Sequence, residues 1–285
     1  MRVELTYCIL HYNKLKKLKK TISYIEKYTP IPYQVYIWNN GYMNSEIARY
    51  FKKLERKPEF KIWYCQVNLG CPAARGKLVF KTDTKYIFTI DDDMYIQEDT
   101  IPIALKLFTK HKKLGAISFP LFNPEDRLQS TSGILIDITD NILKTSKIPL
   151  QNGGIKIVDG LPGGAMLFRK QLKKFFRWDP NYKIGLEDLD KSLQIYFNNN
   201  ELKQCVSFES KLIHDQTTWK ENPSYLKVRR DYHELRRSYL YFVRKWGLRL
   251  PMVEHLLFKY IYAIPSREIT MILNYGIRKL FKSSI

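Results

Sequence analysis

Apolar positions along the chain recur in two rhythms. Val3 to Leu10, Tyr33 to Trp38, Phe60 to Cys65, Tyr86 to Ile90, Gly115 to Phe119, Ala165 to Phe168 and Lys203 to Phe208 are short runs rich in apolar, β-branched and aromatic residues, which suits strands covered on both faces. Behind the first run, Leu15, Leu18, Ile22 and Ile25 return at helical spacing, with lysines on the opposite side. Repetition of strand and helix predicts an α/β fold built on a mostly parallel central sheet flanked by helices. Further helices are predicted from Ile101 to His111, from Gly185 onward with Leu186, Leu189, Leu193 and Phe197 on one face, and from Ser224 to Trp246. Between Leu121 and Asp159 the pattern loosens around a strand at Ile134 to Ile138 and a turn at Asn152 to Gly154. That region is read as variable, substrate-facing structure.

A chain of 285 residues is long enough for one large α/β domain with an appendage, and the pattern divides it into residues 1–222 and a helical extension at 223–285. Its net charge of +20 favours anionic partners such as nucleotides, nucleic acid or an acidic membrane surface. The four cysteines form no CxxC pair, which implies reduced thiols and a cytoplasmic address. Val3 to Leu10 is interrupted by Glu4 and lacks the features of a signal peptide, and no uncharged run is long enough to span a bilayer. Met252 to Ile285 mixes aromatic, aliphatic and basic residues. It fits either a helix lying on the inner face of a membrane or helices packed back on the domain with a solvated basic face.

Chemistry concentrates where the apolar run Tyr86 to Ile90 stops at Asp91, Asp92 and Asp93. Open α/β sheets bind ligands beyond the carboxyl ends of their strands, and adjacent carboxylates repel unless a positive group is present. A divalent cation that in turn holds phosphates explains the triplet; an acidic helix cap needs only Asp99. Upstream, the loop His11, Tyr12, Asn13 offers a ring and an amide to a base, and Asn39-Asn40-Gly41 closes the second strand as a turn. Asn68 to Gly76 sets an amide, a glycine and Arg75 at a helix start, an arrangement suited to phosphate. The glycines of Gly160 to Gly164 either admit a ligand close to the backbone or make a plain tight turn. Glu187, Asp188 and Asp190 place three acids in four positions, and the helix dipole explains one of them comfortably. His214 taken alone is more often structural than a ligand.

Taken in order, these segments resemble a GT-A glycosyltransferase of the family 2 type over roughly Val3 to Gly247. Leu10 to Asn13 stands where the family has a Pro-Thr-Tyr-Asn loop. Asn68 to Gly76 is similar to its Asn-x-Gly-x-x-x-Ala-Arg-Asn segment, Asp91 to Asp93 to its DxD motif, Gly185 to Asp190 to its Glu-Asp motif, Ile213-His214 to a late histidine, and Leu235 to Gly247 to an Arg- and Tyr-rich helix. Two positions depart from the pattern: Asn39 replaces an acid that touches the nucleobase, and Gly76 replaces an asparagine.

The resemblance implies an inverting, hexosyltransferase-type enzyme that moves a sugar from a UDP-, GDP- or dTDP-linked donor to a glycan, lipid-linked or peptide acceptor. Tyr12, Asn13, Asn39, Asn40, Asn68, Arg75, Asp91 and Asp92 would hold the donor, and Asp91, Asp93 and His214 would hold Mn²⁺ or Mg²⁺. Asp188 would be the base with Glu187 positioning the acceptor, joined by Gly163, Gly164 and Trp219. A nucleotidyltransferase would want a glycine-rich loop after the first strand, and Leu10 to Lys16 has no glycine. A nucleic-acid binder leaves the acidic triplet unexplained, since it repels phosphate. A non-catalytic sugar-nucleotide binder stays open at this level.

Overall fold

The computed structural model describes residues 2–198, 201–218, 220–221 and 223–251. From the amino terminus come β1 (Leu5–His11), α1 (Leu15–Tyr28), β2 (Tyr33–Asn40), α2 (Ser45–Leu54), β3 (Phe60–Cys65), α3 (Cys71–Phe80), β4 (Tyr86–Asp91), β5 (Met94–Tyr95), α4 (Thr100–Lys110) and β6 (Leu114–Ser118). Then follow β7 (Leu121–Phe122), β8 (Leu128–Ser130), β9 (Ile134–Thr139), β10 (Ile142–Lys147), β11 (Ile155–Val158) and β12 (Ala165–Arg169). A 3-10 turn at Lys170–Phe175, α5 (Glu187–Asn198), β13 (Lys203–Ser207), β14 (Leu212–His214), α6 (Pro223–Arg229) and α7 (Tyr232–Trp246) complete the described chain.

The main sheet has eight strands in the order β11-β13-β6-β12-β4-β1-β2-β3. Strands β4, β1, β2 and β3 run parallel to their neighbours, as does β13 to β6, while β12 is antiparallel to both β4 and β6. Side chains alternate across each strand. Leu5, Tyr7 and Ile9 of β1 and Tyr86, Phe88 and Ile90 of β4 therefore join one buried layer with residues of α1, α2 and α4. Cys8 and Ile87 join the other, with Leu78 of α3, Phe168 and Ile195 of α5.

Parallel pairing carries several strand ends to one edge of the sheet. Leu10 pairs with Asp91 and His11 with Asn39. Because β12 runs the other way, the glycine loop before it arrives at the same edge, where the Asp91 amide donates to the Gly164 carbonyl at 3.0 Å.

Four details differ from the sequence-based expectation. The predicted helix Ser224 to Trp246 is two helices, because Asp231 accepts the Glu234 amide and starts α7 afresh. Asp99 stands at the N-cap of α4 without capping it; its carboxylate accepts from Ser210, and Thr100 Oγ1 accepts the Gln97 amide instead. The buried face of α5 is Asp190, Lys191, Ser192, Leu193 and Ile195 rather than the leucine stripe, and Phe197 is exposed. The chain also divides elsewhere, into one unit of residues 1–136 and 145–241 and another of residues 137–144 and 242–285.

Within the first unit, the segment beyond residue 222 is fastened by side chains: Ser238 Oγ donates to the Ile184 carbonyl, Lys183 pairs with Glu234, and the Tyr241 hydroxyl donates to Asp179. Within the second, Leu143 and Arg249 exchange strand-like contacts through the Arg249 carbonyl and the Asn141 carbonyl. All four cysteines are free thiols. Among the described residues no helix is long and apolar enough to cross a membrane, and Met252 to Ile285 lies outside them.

Candidate active site

Two cavities meet at the start of α5. The first, about 240 Å³, opens at the carboxyl edge of the sheet among Tyr12, Lys14, Asn40, Asn68, Asp91 and Glu187. The second, about 420 Å³, is walled by Ser130, Ser132, Thr145, Ser192, Glu187 and Asp188. Glu187 belongs to both walls. The chain reaches it through Gly185 and Leu186, both in the left-handed region at φ +76° and +65°, a costly conformation for a leucine and one associated with functional turns.

The acidic triplet at the end of β4 is matched by cations. Asp91 Oδ1 accepts from Arg75 Nη2 at 2.5 Å, and Arg75 is itself buried on α3. Burial alone would raise the Asp91 carboxyl; Arg75, then Lys14 and Arg229, outweigh it and hold the group below the usual carboxylate range. Asp92 reaches the cavity wall, yet its Oδ2 lies 2.8 Å from His11 Nδ1 and accepts the Tyr12 amide, while its Oδ1 pairs with Lys14 at 2.5 Å. Asp93 gives Oδ2 to Lys14 at 2.8 Å and presents Oδ1 3.7 Å from His214 Nε2. Burial lowers the His214 pKa, and the Asp93 charge opposes that shift.

Among the described residues no three His, Cys, Asp or Glu side chains converge as a metal cluster. What converges is a carboxylate oxygen and an imidazole nitrogen beside a cavity. Two protein donors of that chemistry fit an Mg²⁺ or Mn²⁺ ion that takes its remaining ligands from phosphate and water.

Other expected residues are placed as follows. Asn40 Nδ2 donates to Asn68 Oδ1 and its Oδ1 accepts the Leu69 amide, so the two asparagines brace the cavity wall. Asn39 is buried, and its amide donates to the Tyr42 carbonyl, closing the turn after β2. Asn13 bends the loop at φ +52° next to Tyr12. Trp219 lies outside the described residues.

Gly163 and Gly164 are required by close approach. A Cβ on Gly164 would stand 2.2 Å from Asp91 Oδ2, and one on Gly163 would stand 2.4 Å from Asp188 Oδ1. The Gly163 amide donates to that same Asp188 oxygen at 2.9 Å. One dipeptide thus separates the two acidic groups.

The profile of the family described as glycosyl transferase family 2 matches residues 6–176. The chain belongs to that family. Poly-beta-1,6-N-acetyl-D-glucosamine synthase of Staphylococcus epidermidis is 25% identical to this glycosyltransferase over 205 residues, 70% of the chain and 47% of the relative. The chain therefore spans about half the length of the curated relatives it matches.

Among solved structures, S. aureus TarS 1-349 in complex with UDP-GlcNAc superposes with a TM-score of 0.59 at 13% identity, covering 91% of this chain and 72% of that one. GalNAc-T7 with UDP, GalNAc and Mn²⁺ gives a TM-score of 0.62 at 12% identity, covering 96% and 54%. These likenesses establish a GT-A fold.

In this glycosyltransferase α5 starts with carboxylates that are short of cations. Burial first and then the Asp188 charge push Glu187 up to about 7, against the pull of Arg75 and Arg229. Sequence reasoning missed three groups around the pair. Lys14 is the cation of the Asp92-Asp93 pair, and a lysine three positions after His11 gives no warning of it. Trp178 presents an unpartnered buried indole N–H on the Gly163 side, and Gly76 packs against the same tryptophan. Lys191 is wholly buried one turn beyond Glu187 on α5, and the i to i+4 spacing of acid and lysine was its only signal.

Proposed function

We propose that this family 2 glycosyltransferase transfers a sugar, with inversion, from a nucleotide-diphosphate sugar in the first cavity to an acceptor hydroxyl delivered through the second. The observation that carries this reading is the position of Glu187 in both walls with Asp188 in the second only, so donor and acceptor would meet at the acidic pair. UDP and UDP-GlcNAc in the titles of the structural relatives make a UDP-linked donor the first to try.

Inversion needs a base on the face opposite the leaving group. Asp188 takes that part: its Oδ1 is fixed by the Gly163 amide, which leaves its other oxygen for the acceptor proton. Glu187, raised to about 7 by burial and by Asp188, is substantially protonated at neutral pH and donates a hydrogen bond that orients the acceptor. Arg75 faces both Asp91 and the Asp188 side of Gly163, where it stabilises negative charge on the departing diphosphate. Tyr12 flanks the base end of the first cavity, and Asn40 and Asn68 shape its wall.

Asp93 and His214 would hold the divalent ion, which supplies charge neutralisation for the leaving group when bound. The hydroxyls of Ser130, Ser132 and Thr145 in the second cavity suit a glycan acceptor over a peptide.

The test is transfer and thermal stabilisation with UDP-, GDP- and dTDP-sugars, with and without Mn²⁺. A ligand at one hundred times its Kd stabilises by about 2.7 kcal/mol, which a melting curve resolves. Absence of both stabilisation and product with every donor would overturn the reading.

A further inference from the structure

A buried lysine is costly. Removing an ammonium from water carries a penalty of several kcal/mol that only well-placed partners offset. Lys191 is 0% exposed, and its Nζ donates to the Leu161 carbonyl at 2.5 Å and lies 3.8 Å from the Met166 sulfur. Neither partner is charged. Leu161 opens the segment Leu161-Pro162-Gly163, and the Gly163 amide at the other end of it donates to Asp188 Oδ1.

Asp188 and Lys191 are three positions apart on α5, so the helix and this loop are joined by two crossing hydrogen bonds. A third contact closes the arrangement: Ser192 Oγ donates to the Asp188 carbonyl at 2.7 Å, and a Cβ on Gly160 would stand 2.5 Å from that Oγ.

Charge matching points the same way. The groups facing Asp188 are Glu187 and Lys191 on its own helix, Arg75 on α3 behind Gly163, Asp91 on β4 beyond Gly164, and Arg229 on α6 across the first cavity. Arg75 is engaged by Asp91. With Glu187 neutral, the buried positive charge left to answer Asp188 from within the helix is Lys191. Burial lowers its own pKa, and Asp188 is the strongest group holding it up.

We infer that Lys191 is a positioning residue for the reaction: it keeps Asp188 ionised and fixes the loop on which that carboxylate rests. The inference depends on Asp188 being the base. An aspartate base acts as the anion, so the acid limb of the kcat/KM profile reports its ionisation. Removing a neighbouring positive charge disfavours that anion, and the limb moves to higher pH.

The test is Lys191→Met, a swap of similar length into a pocket that already holds Met166. The expected result is a shift of the acid limb upward by about one pH unit with donor KM unchanged. A lysine that merely holds the loop would leave the limb in place, and an unmoved limb overturns the proposal. Carboxyl ¹³C titration of Asp188, assigned with Asp188→Asn, reads the same shift without any substrate. A carboxyl shift in a protein that transfers no sugar would sink the proposed function and leave the Lys191 role standing. Should Lys191→Met fail to fold, Asp188→Asn serves: ¹³Cε-lysine spectra should show Lys191 titrating at lower pH than in the wild type, and an unchanged titration overturns the proposal.

Discussion

The two acidic clusters of this enzyme are built from the same residue types and do opposite things with their charge. At the end of β4, Asp91, Asp92 and Asp93 meet Arg75, His11 and Lys14 at hydrogen-bond distance, and Asp91 is held below its ordinary range. At the start of α5, Glu187 and Asp188 lie side by side in a half-buried turn, and Glu187 is pushed up to about 7. A cluster with matched cations stays ionised and suits the fixed holding of phosphate and metal. One with too few cations keeps a proton near neutral pH and suits its transfer. Environment, not residue type, divides the labour.

That division is broken most sharply at Asp188. Asp188→Asn should lower turnover by about 10²- to 10⁴-fold, the usual worth of general-base assistance. Steady-state transfer kinetics check it, and near-normal turnover in this variant with a dead Glu187→Gln would move the base one residue back.

A smaller effect separates the clusters by stability. Glu187 has a folded pKa raised from 4.5 to about 7, so its contribution is fully present below the ordinary glutamate value and is lost as pH rises through about 7. Glu187→Gln should therefore be indistinguishable from wild type near pH 4 and more stable at pH 8, by up to about 3 kcal/mol. Urea unfolding at the two pH values gives the difference, and a gap that shrinks with rising pH would contradict the sign.

The smallest effect belongs to Asp190, which accepts from the Tyr182 hydroxyl at 3.2 Å and from Gln194 at 2.7 Å and faces neither cavity. Asp190→Asn should cost about 1 kcal/mol of stability, the scale of one hydrogen bond, and leave kcat within a few-fold. A turnover loss comparable to that of Asp188→Asn would place Asp190 in the chemistry.

The strands were legible because each is a short apolar run with its own composition, and the Asp91 to Asp93 triplet was legible because β4 stops there. The order of motifs carried the fold class. The inward turn of Asp92 was hidden, since its partners His11 and Lys14 come from the loop after β1. So was the buried face of α5. Leucine spacing predicts an apolar stripe, but Tyr182, the Leu161 carbonyl and Gly160 supply partners from remote loops and draw Asp190, Lys191 and Ser192 inside instead. Helix α2 was missed although Asn44 caps it through the Ile47 amide, because Asn39 to Asn44 reads as continuous turn sequence. The role of Gly163 and Gly164 as spacers against Asp188 and Asp91 could not be read from sequence, where they serve equally as a tight turn.

The most direct measurement of the division between the clusters is donor binding by calorimetry on two variants, Asp93→Ala and Asp188→Asn, with and without Mn²⁺. Asp93→Ala should lose the metal dependence of UDP-sugar binding while retaining the fold, whereas Asp188→Asn should bind the donor with wild-type affinity and metal dependence. Unchanged metal dependence in Asp93→Ala, or weakened donor binding in Asp188→Asn, would contradict it.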